Sequence, residues 1–156
     1  MTMRNKFWPV LLSILTAQSA GLLGSIFTTS SIPTWYINII KPEWNPPSWI
    51  FGPVWITLYT LMGIAAYLIW KNKNTSRHAL TLYGIQLLLN ALWSILFFGL
   101  KNPGLAFAEI IVLWVFIVGT LISFWKIDKR AGALLLPYLA WVSFAVFLNY
   151  TIWQLN

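Results

Sequence analysis

Trp55, Trp93, Trp114 and Trp141 lie deep inside long uncharged runs, where anchoring at a membrane interface does not account for them. An indole brings a broad apolar face for stacking, one N–H donor and an easily oxidised ring. Around three of them the polar residues fall at helical spacing. Gln86, Asn90, Trp93 and Phe97 stand at i, i+4, i+7 and i+11, one face of a helix. Trp141, Ala145, Leu148 and Asn149 form a second such stripe behind Pro137, and Trp55, Tyr59, Met62 and Ala66 a third. Brought together, the stripes would wall a cavity with indole rings and a few amide donors, which suits a large, flat, mostly apolar ligand. They describe equally well a packed core in which Gln86 and Asn90 bond between helices, and the spacing alone leaves both readings open.

Other chemistry is scarce. Without cysteine there is no thiolate nucleophile, disulfide or thiolate metal site. His78 is the only histidine and lies beside Arg77 in a basic segment, so no histidine pair or metal cluster is expected, and no resident cofactor. Haem has no strong axial ligand; Met62 and some tyrosines are the remaining candidates. Glu109 is the one acid inside an apolar run, about one turn into its helix. An acid there can serve as a proton or cation site, and hence proton-coupled export of small molecules. Its position near the helix start favours instead a carboxyl that caps or hydrogen-bonds a neighbour.

The elements that must position these residues are membrane spans. Of 156 residues, 59% are hydrophobic and 8% charged, against about 25% charged in soluble domains. Five stretches are long enough to cross a bilayer as helices, at about 7–27, 48–70, 79–100, 105–125 and 132–153. The fold class expected is an all-α membrane protein, a single domain built as a five-transmembrane-helix bundle whose short linkers make successive helices antiparallel. "AQS" at Ala17–Ser19 offers a signal-peptide reading of the start, but the apolar pattern runs past it to Phe27, which favours a retained first helix. Ala17, Gly21 and Ser25, four apart, with Ala20 and Gly24 beside them, let another backbone approach that helix, most simply within the bundle.

Residues 28–47 form the longest connection, read as a stiff lid: "TTSSIPT" leaves the membrane and the Trp-Pro alternation of "KPEWNPPSW" allows few backbone conformations, with Pro46 and Pro47 in the first turn of the second helix. Trp44, Trp49, Trp70, Trp125 and Trp153, near helix ends, fit an interfacial belt. The ten Lys and Arg residues sort by side, eight with the N-terminus (Arg4, Lys6, Lys71, Lys73, Arg77, Lys126, Lys129, Arg130) and two opposite (Lys41, Lys101). That bias places the N-terminus in the cytoplasm and the C-terminus outside. The net charge of +7 is thereby assigned to an anionic leaflet rather than to nucleic acid.

The segments "KPEWNPPSWIFGPVWITLYTLMG", "QLLLNALWSILFFG" and "PYLAWVSFAVFLNYTIW" resemble, in order, the motifs of the TspO/MBR family of tryptophan-rich sensory proteins, which includes the mitochondrial translocator proteins or peripheral benzodiazepine receptors. The resemblance spans nearly the whole chain and implies a bacterial-type member in the cell membrane. It also implies a homodimer of five-helix bundles, each with a pocket beneath the first loop for porphyrins and benzodiazepine-site ligands. By position, Trp55, Asn90, Trp141, Ala145 and Leu148 match the family's pocket residues; Trp35, Trp49 and Trp93 complete the candidate ligand-binding set. Bacterial members imply sensing, transport or light-dependent breakdown of protoporphyrin IX. For breakdown Trp55 and Trp141 are the candidate catalytic residues, as oxidisable rings held against an excited ligand. The animal cholesterol motif is broken, because Leu148 and Tyr150 are followed by Gln154 where a base belongs, so cholesterol is not an expected partner. Leu61, Tyr67 and Lys71 satisfy the same loose pattern only formally.

Overall fold

In the computed structural model the described residues are 4–72 and 77–156, with only the backbone described for 4–6; Lys73, one of the basic residues sorted above, lies outside them. They contain helices and no strand: α1 (Arg4–Ser31), α2 (Ser48–Trp70), α3 (Arg77–Ser94), α4 (Pro103–Ile127), α5 (Lys129–Leu134) and α6 (Leu136–Leu155). α1 and α3 each end in a π-helical turn, Ile32–Tyr36 and Ile95–Gly99. With α5 and α6 taken as one passage, five segments are long and apolar enough to span a bilayer.

The first helix does not stop at Phe27. Its polar end stays helical because each hydroxyl returns to a carbonyl one turn back: Thr28 to Gly24 at 3.1 Å, Thr29 to Ser25 at 2.8 Å and Thr34 to Ser30 at 2.9 Å. In lipid, such bonds make Ser and Thr acceptable helix residues. Pro33, which has no N–H to give, falls where the helix widens into the π turn. The non-helical connection is therefore 37–47, shorter than the 28–47 expected. Pro46 and Pro47 precede α2 instead of forming its first turn, Pro47 holding an extended ψ of 140° at the N-cap.

The fifth passage starts early and is broken once. Asp128 caps α5 by accepting from the Arg130 N–H at 2.9 Å, drawing the helix start back from Gly132 to Lys129. Pro137 cannot supply the next turn's hydrogen bond, so the helix interrupts at Leu135 and restarts as α6.

Small residues set how closely the helices meet. A Cβ on Gly63 of α2 would stand 2.5 Å from the Cα of Ile14 in α1, and the Ser13 hydroxyl donates to the Gly63 carbonyl at 2.7 Å. Gly21 lies against the ring of Tyr59 and Gly24 against Ser94, so the small face of α1 is used inside the bundle. Towards the other end the face of α1 stays small while α2 presents Trp49, Phe51 and Trp55, and the helices enclose space.

Candidate functional site

That space is a cavity of about 470 Å³ bounded by α1, α2, α3 and α6, within the size range of small-molecule sites. Of the eight sequence-predicted site residues, seven line it: Trp49, Trp55, Asn90, Trp93, Trp141, Ala145 and Leu148. Trp35 does not. It packs edge-on against Phe97 and Phe98, at ring-centroid distances of 5.6 and 6.5 Å, and braces the wall from behind. Nor does Trp114, which is part-exposed on the outer surface and donates to the Ser143 hydroxyl at 2.8 Å.

The three inner tryptophans are held differently. Trp93 stacks on Phe97 at 5.1 Å, and its N–H is taken by the Asn149 side chain at 2.9 Å, whose own amide donates to the Pro103 carbonyl at 2.8 Å. Trp93 is thus fixed as wall. Trp55 leans on Tyr59 at 5.5 Å and meets Tyr138 edge-on, while Trp141 rests between Phe51 and Phe144 at 6.1 and 5.5 Å. Among the described residues neither Trp55 nor Trp141 spends its N–H on the protein. Both therefore offer a ring to whatever fills the cavity and keep an N–H that no described residue takes.

The amides divide between wall and core. Tyr59 donates to Asn90, Asn90 donates to the Tyr138 hydroxyl at 2.7 Å, and Tyr138 donates to Gln86 at 2.8 Å. Gln86 reaches Met62 and does not line the cavity. For Gln86 the packed-core reading of the stripe is right; Asn90 both lines the cavity and joins the buried chain. A satisfied chain of this kind fixes the mutual rotation of α2, α3 and α6.

Glu109 departs from expectation. It is buried, and neither carboxyl oxygen has a hydrogen-bond partner among the described residues, so it neither caps nor bonds a neighbour. The cap of α4 is Asn102, which accepts from the Leu105 N–H at 2.9 Å. Glu109 is not a cavity residue either, and among the described residues no Lys, Arg, Asp, Glu or His lines the cavity. Its serine, threonine and tyrosine hydroxyls therefore have no charged or imidazole base beside them in the wall.

The TspO/MBR family profile matches residues 13–154. The chain belongs to the TspO/MBR family. It is 42% identical to the tryptophan-rich protein TspO of Chlorobaculum tepidum over 99% of both chains, and 46% identical to the protein of the same name from Archaeoglobus fulgidus over 92% of this chain and 94% of that one. The translocator protein of Ovis aries is 40% identical, over 91% of this chain and 86% of its own. This TspO/MBR protein is thus an integral membrane protein of five spans. Sequence reasoning missed four of its cavity rings, Tyr36, Phe51, Phe98 and Phe144, of which Phe51 and Phe144 were within reach. Helical spacing carried the signal, since Phe51 lies one turn before Trp55 and Phe144 one turn after Trp141.

Proposed function

We propose that this TspO/MBR protein binds flat, hydrophobic, porphyrin-class molecules, protoporphyrin IX or a relative, in the cavity between α1, α2, α3 and α6, a site that synthetic benzodiazepine-site ligands would share. The observation behind the reading is the uncharged, ring-lined space in which Trp55 and Trp141 keep unused N–H groups. Ring faces stack on a macrocycle while the indole and Asn90 donors orient it. Metal-free porphyrin suits the site, since the wall supplies no histidine or thiolate. Quenching of tryptophan emission during porphyrin titration measures binding. Trp141→Ala should weaken it about tenfold, as expected for losing about 1–2 kcal/mol of ring contact; unchanged affinity in both Trp55→Ala and Trp141→Ala would place the ligand elsewhere.

Light-dependent breakdown of the bound macrocycle is the chemistry open to such a site, with Trp55 and Trp141 as the oxidisable rings and dioxygen as oxidant. Exchanging both for Phe keeps aromatic bulk. The expected outcome is retained binding with slower breakdown under illumination; equal rate and product would reduce the tryptophans to walls. A second reading, proton-coupled export, draws on the buried, unpartnered Glu109. It predicts that Glu109→Gln abolishes pH-gradient-driven efflux from proteoliposomes and leaves binding intact, and normal flux in that variant ends it.

A further inference from the structure

Two features of the cavity's boundary differ in kind. The first is the lid, residues 37–47, which is fastened at several points. The Asn156 side chain pairs with both backbone groups of Ile40, accepting from its N–H and donating to its carbonyl, each at 2.9 Å. Lys41 Nζ donates to the carbonyls of Tyr36 at 2.6 Å and Ile39 at 2.9 Å, and the Tyr36 hydroxyl donates to the Asn45 side chain at 2.8 Å. Trp44 meets Phe144 edge-on at 5.8 Å. The Asn156 pair and the Trp44–Phe144 contact tie the lid to α6, and the other bonds hold its own fold.

The second feature is the side wall between α1 and α2. Gln18, Leu22, Ser25 and Thr29 run along one face of α1, and Trp49, Gly52 and Ile56 along one face of α2; all seven line the cavity. Yet Leu22 is 67% exposed, Trp49 74% and Ile56 62%. A residue lines a cavity and faces outward at once only at an opening. The opening ends below where Gln18 Nε2 donates to the Ile56 carbonyl and to the Thr60 hydroxyl, both at 3.0 Å, before the helices close at Gly63 and Ile14. At its middle stands Gly52, where an added Cβ would meet nothing within 4 Å. Both helices span the membrane, so this gap opens sideways to lipid, from the interface at Trp49 inward.

Resting on the cavity reading above, we propose that the ligand arrives from and leaves to the bilayer interior through the α1–α2 gap, with Gly52 as its gate position, while the lid stays fastened. The ligand class is then one that partitions into lipid before it binds. A side chain at position 52 narrows the passage, so it raises the barrier to entry and to exit alike.

The test is stopped-flow quenching of tryptophan emission in proteoliposomes, with protoporphyrin IX as probe, delivered from preloaded vesicles and withdrawn by empty ones. Gly52→Phe should slow association and dissociation together, each on the order of tenfold, and Asn156→Ala should leave both rates as they were. If Asn156→Ala speeds both rates while Gly52→Phe changes neither, the ligand passes the lid and the proposal is wrong. A change of Kd in Gly52→Phe with unaltered association makes position 52 a wall and not a gate, which also overturns it. No saturable quenching by the wild type would instead dispose of the cavity reading, and this proposal with it. Should Gly52→Phe fail to fold, Gly52→Cys serves: the chain has no other cysteine, so a bulky methanethiosulfonate added after folding plugs the gap alone, and a reductant must restore the rates.

Discussion

The two halves of this bundle are built from the same helices and do opposite things. In the half around Ile14, Gly63, Ala65 and Ala66, small residues let α1 and α2 come into backbone contact, and Met62, Ala65 and Ile69 have no exposed surface. In the half around Phe51, Trp55, Trp93 and Trp141, α2, α3 and α6 turn large rings towards a face of α1 that stays small at Gly21, Gly24 and Ser25, and the helices stand off around a cavity. Lipid offers apolar surface as freely as the protein interior does, so contact between helices rests on shape and on polar bonds. Small side chains give close contact; large rings braced on one another give a cavity that does not collapse.

The sharpest way to break the comparison is to exchange the character of two glycines on one helix. Gly63→Leu drives a side chain into the Ile14 backbone, which cannot move aside as a flexible side chain would. A loss of about 3 kcal/mol is expected, read as a fallen melting temperature or loss of the monodisperse peak in detergent. Gly52→Leu, in the open half, should leave both unchanged. Equal damage from the two would mean that the halves do not differ in packing.

A smaller effect tests the seam between the halves. Asn90 belongs to both, lining the cavity and joining Tyr59 to Tyr138. Asn90→Leu leaves the buried Tyr59 hydroxyl without its partner, at about 1–3 kcal/mol. Asn90→Asp, which can still accept from Tyr59, should lose less. If Asn90→Leu lowers porphyrin affinity with no fall in melting temperature, the asparagine serves the ligand only.

The spans and most of the cavity wall were legible in the chain because both rest on periodicity: apolar runs of bilayer length, and rings at i, i+4 and i+7. What was hidden depends on contacts between distant segments. Trp35 reads like any other tryptophan of the lid region, and only the meeting of two π turns, where Ser31 donates to the Phe98 carbonyl at 2.7 Å, turns it behind the wall. Glu109 has the spacing of a residue near a helix start, but the packing of α3 and α6 on α4 buries it. The helical run through "TTSSIPT" was misread because Ser, Thr and Pro signal loops in water, whereas in lipid hydroxyls bond back to the helix.

The connections repeat the contrast between halves at the smallest scale. The lid over the cavity carries no ion pair among the described residues, whereas the turn between α4 and α5 at the packed end is held by one, Arg130 Nη2 to Asp128 Oδ2 at 3.1 Å. The side-chain hydrogen bond from Arg130, against a smaller opposing effect of burial, holds the Asp128 carboxyl below its usual range. A carboxyl depressed in the folded state contributes stability at pH values above its unfolded pKa of about 4, and that contribution is lost as pH falls through the folded value. Arg130 is 75% exposed, so water screens the pair and Asp128→Asn, which keeps the cap, should cost only about 0–1 kcal/mol at neutral pH. Asp128→Ala removes the cap as well and should cost about 0.5–2 kcal/mol. Melting curves from pH 6 down to pH 3 separate the two contributions, because the gap between wild type and Asp128→Asn should close with acidification while part of the Asp128→Ala deficit persists. A wild-type and an Asp128→Asn curve that run parallel over that range would show that the charge contributes nothing and that the turn is held by neutral hydrogen bonds alone.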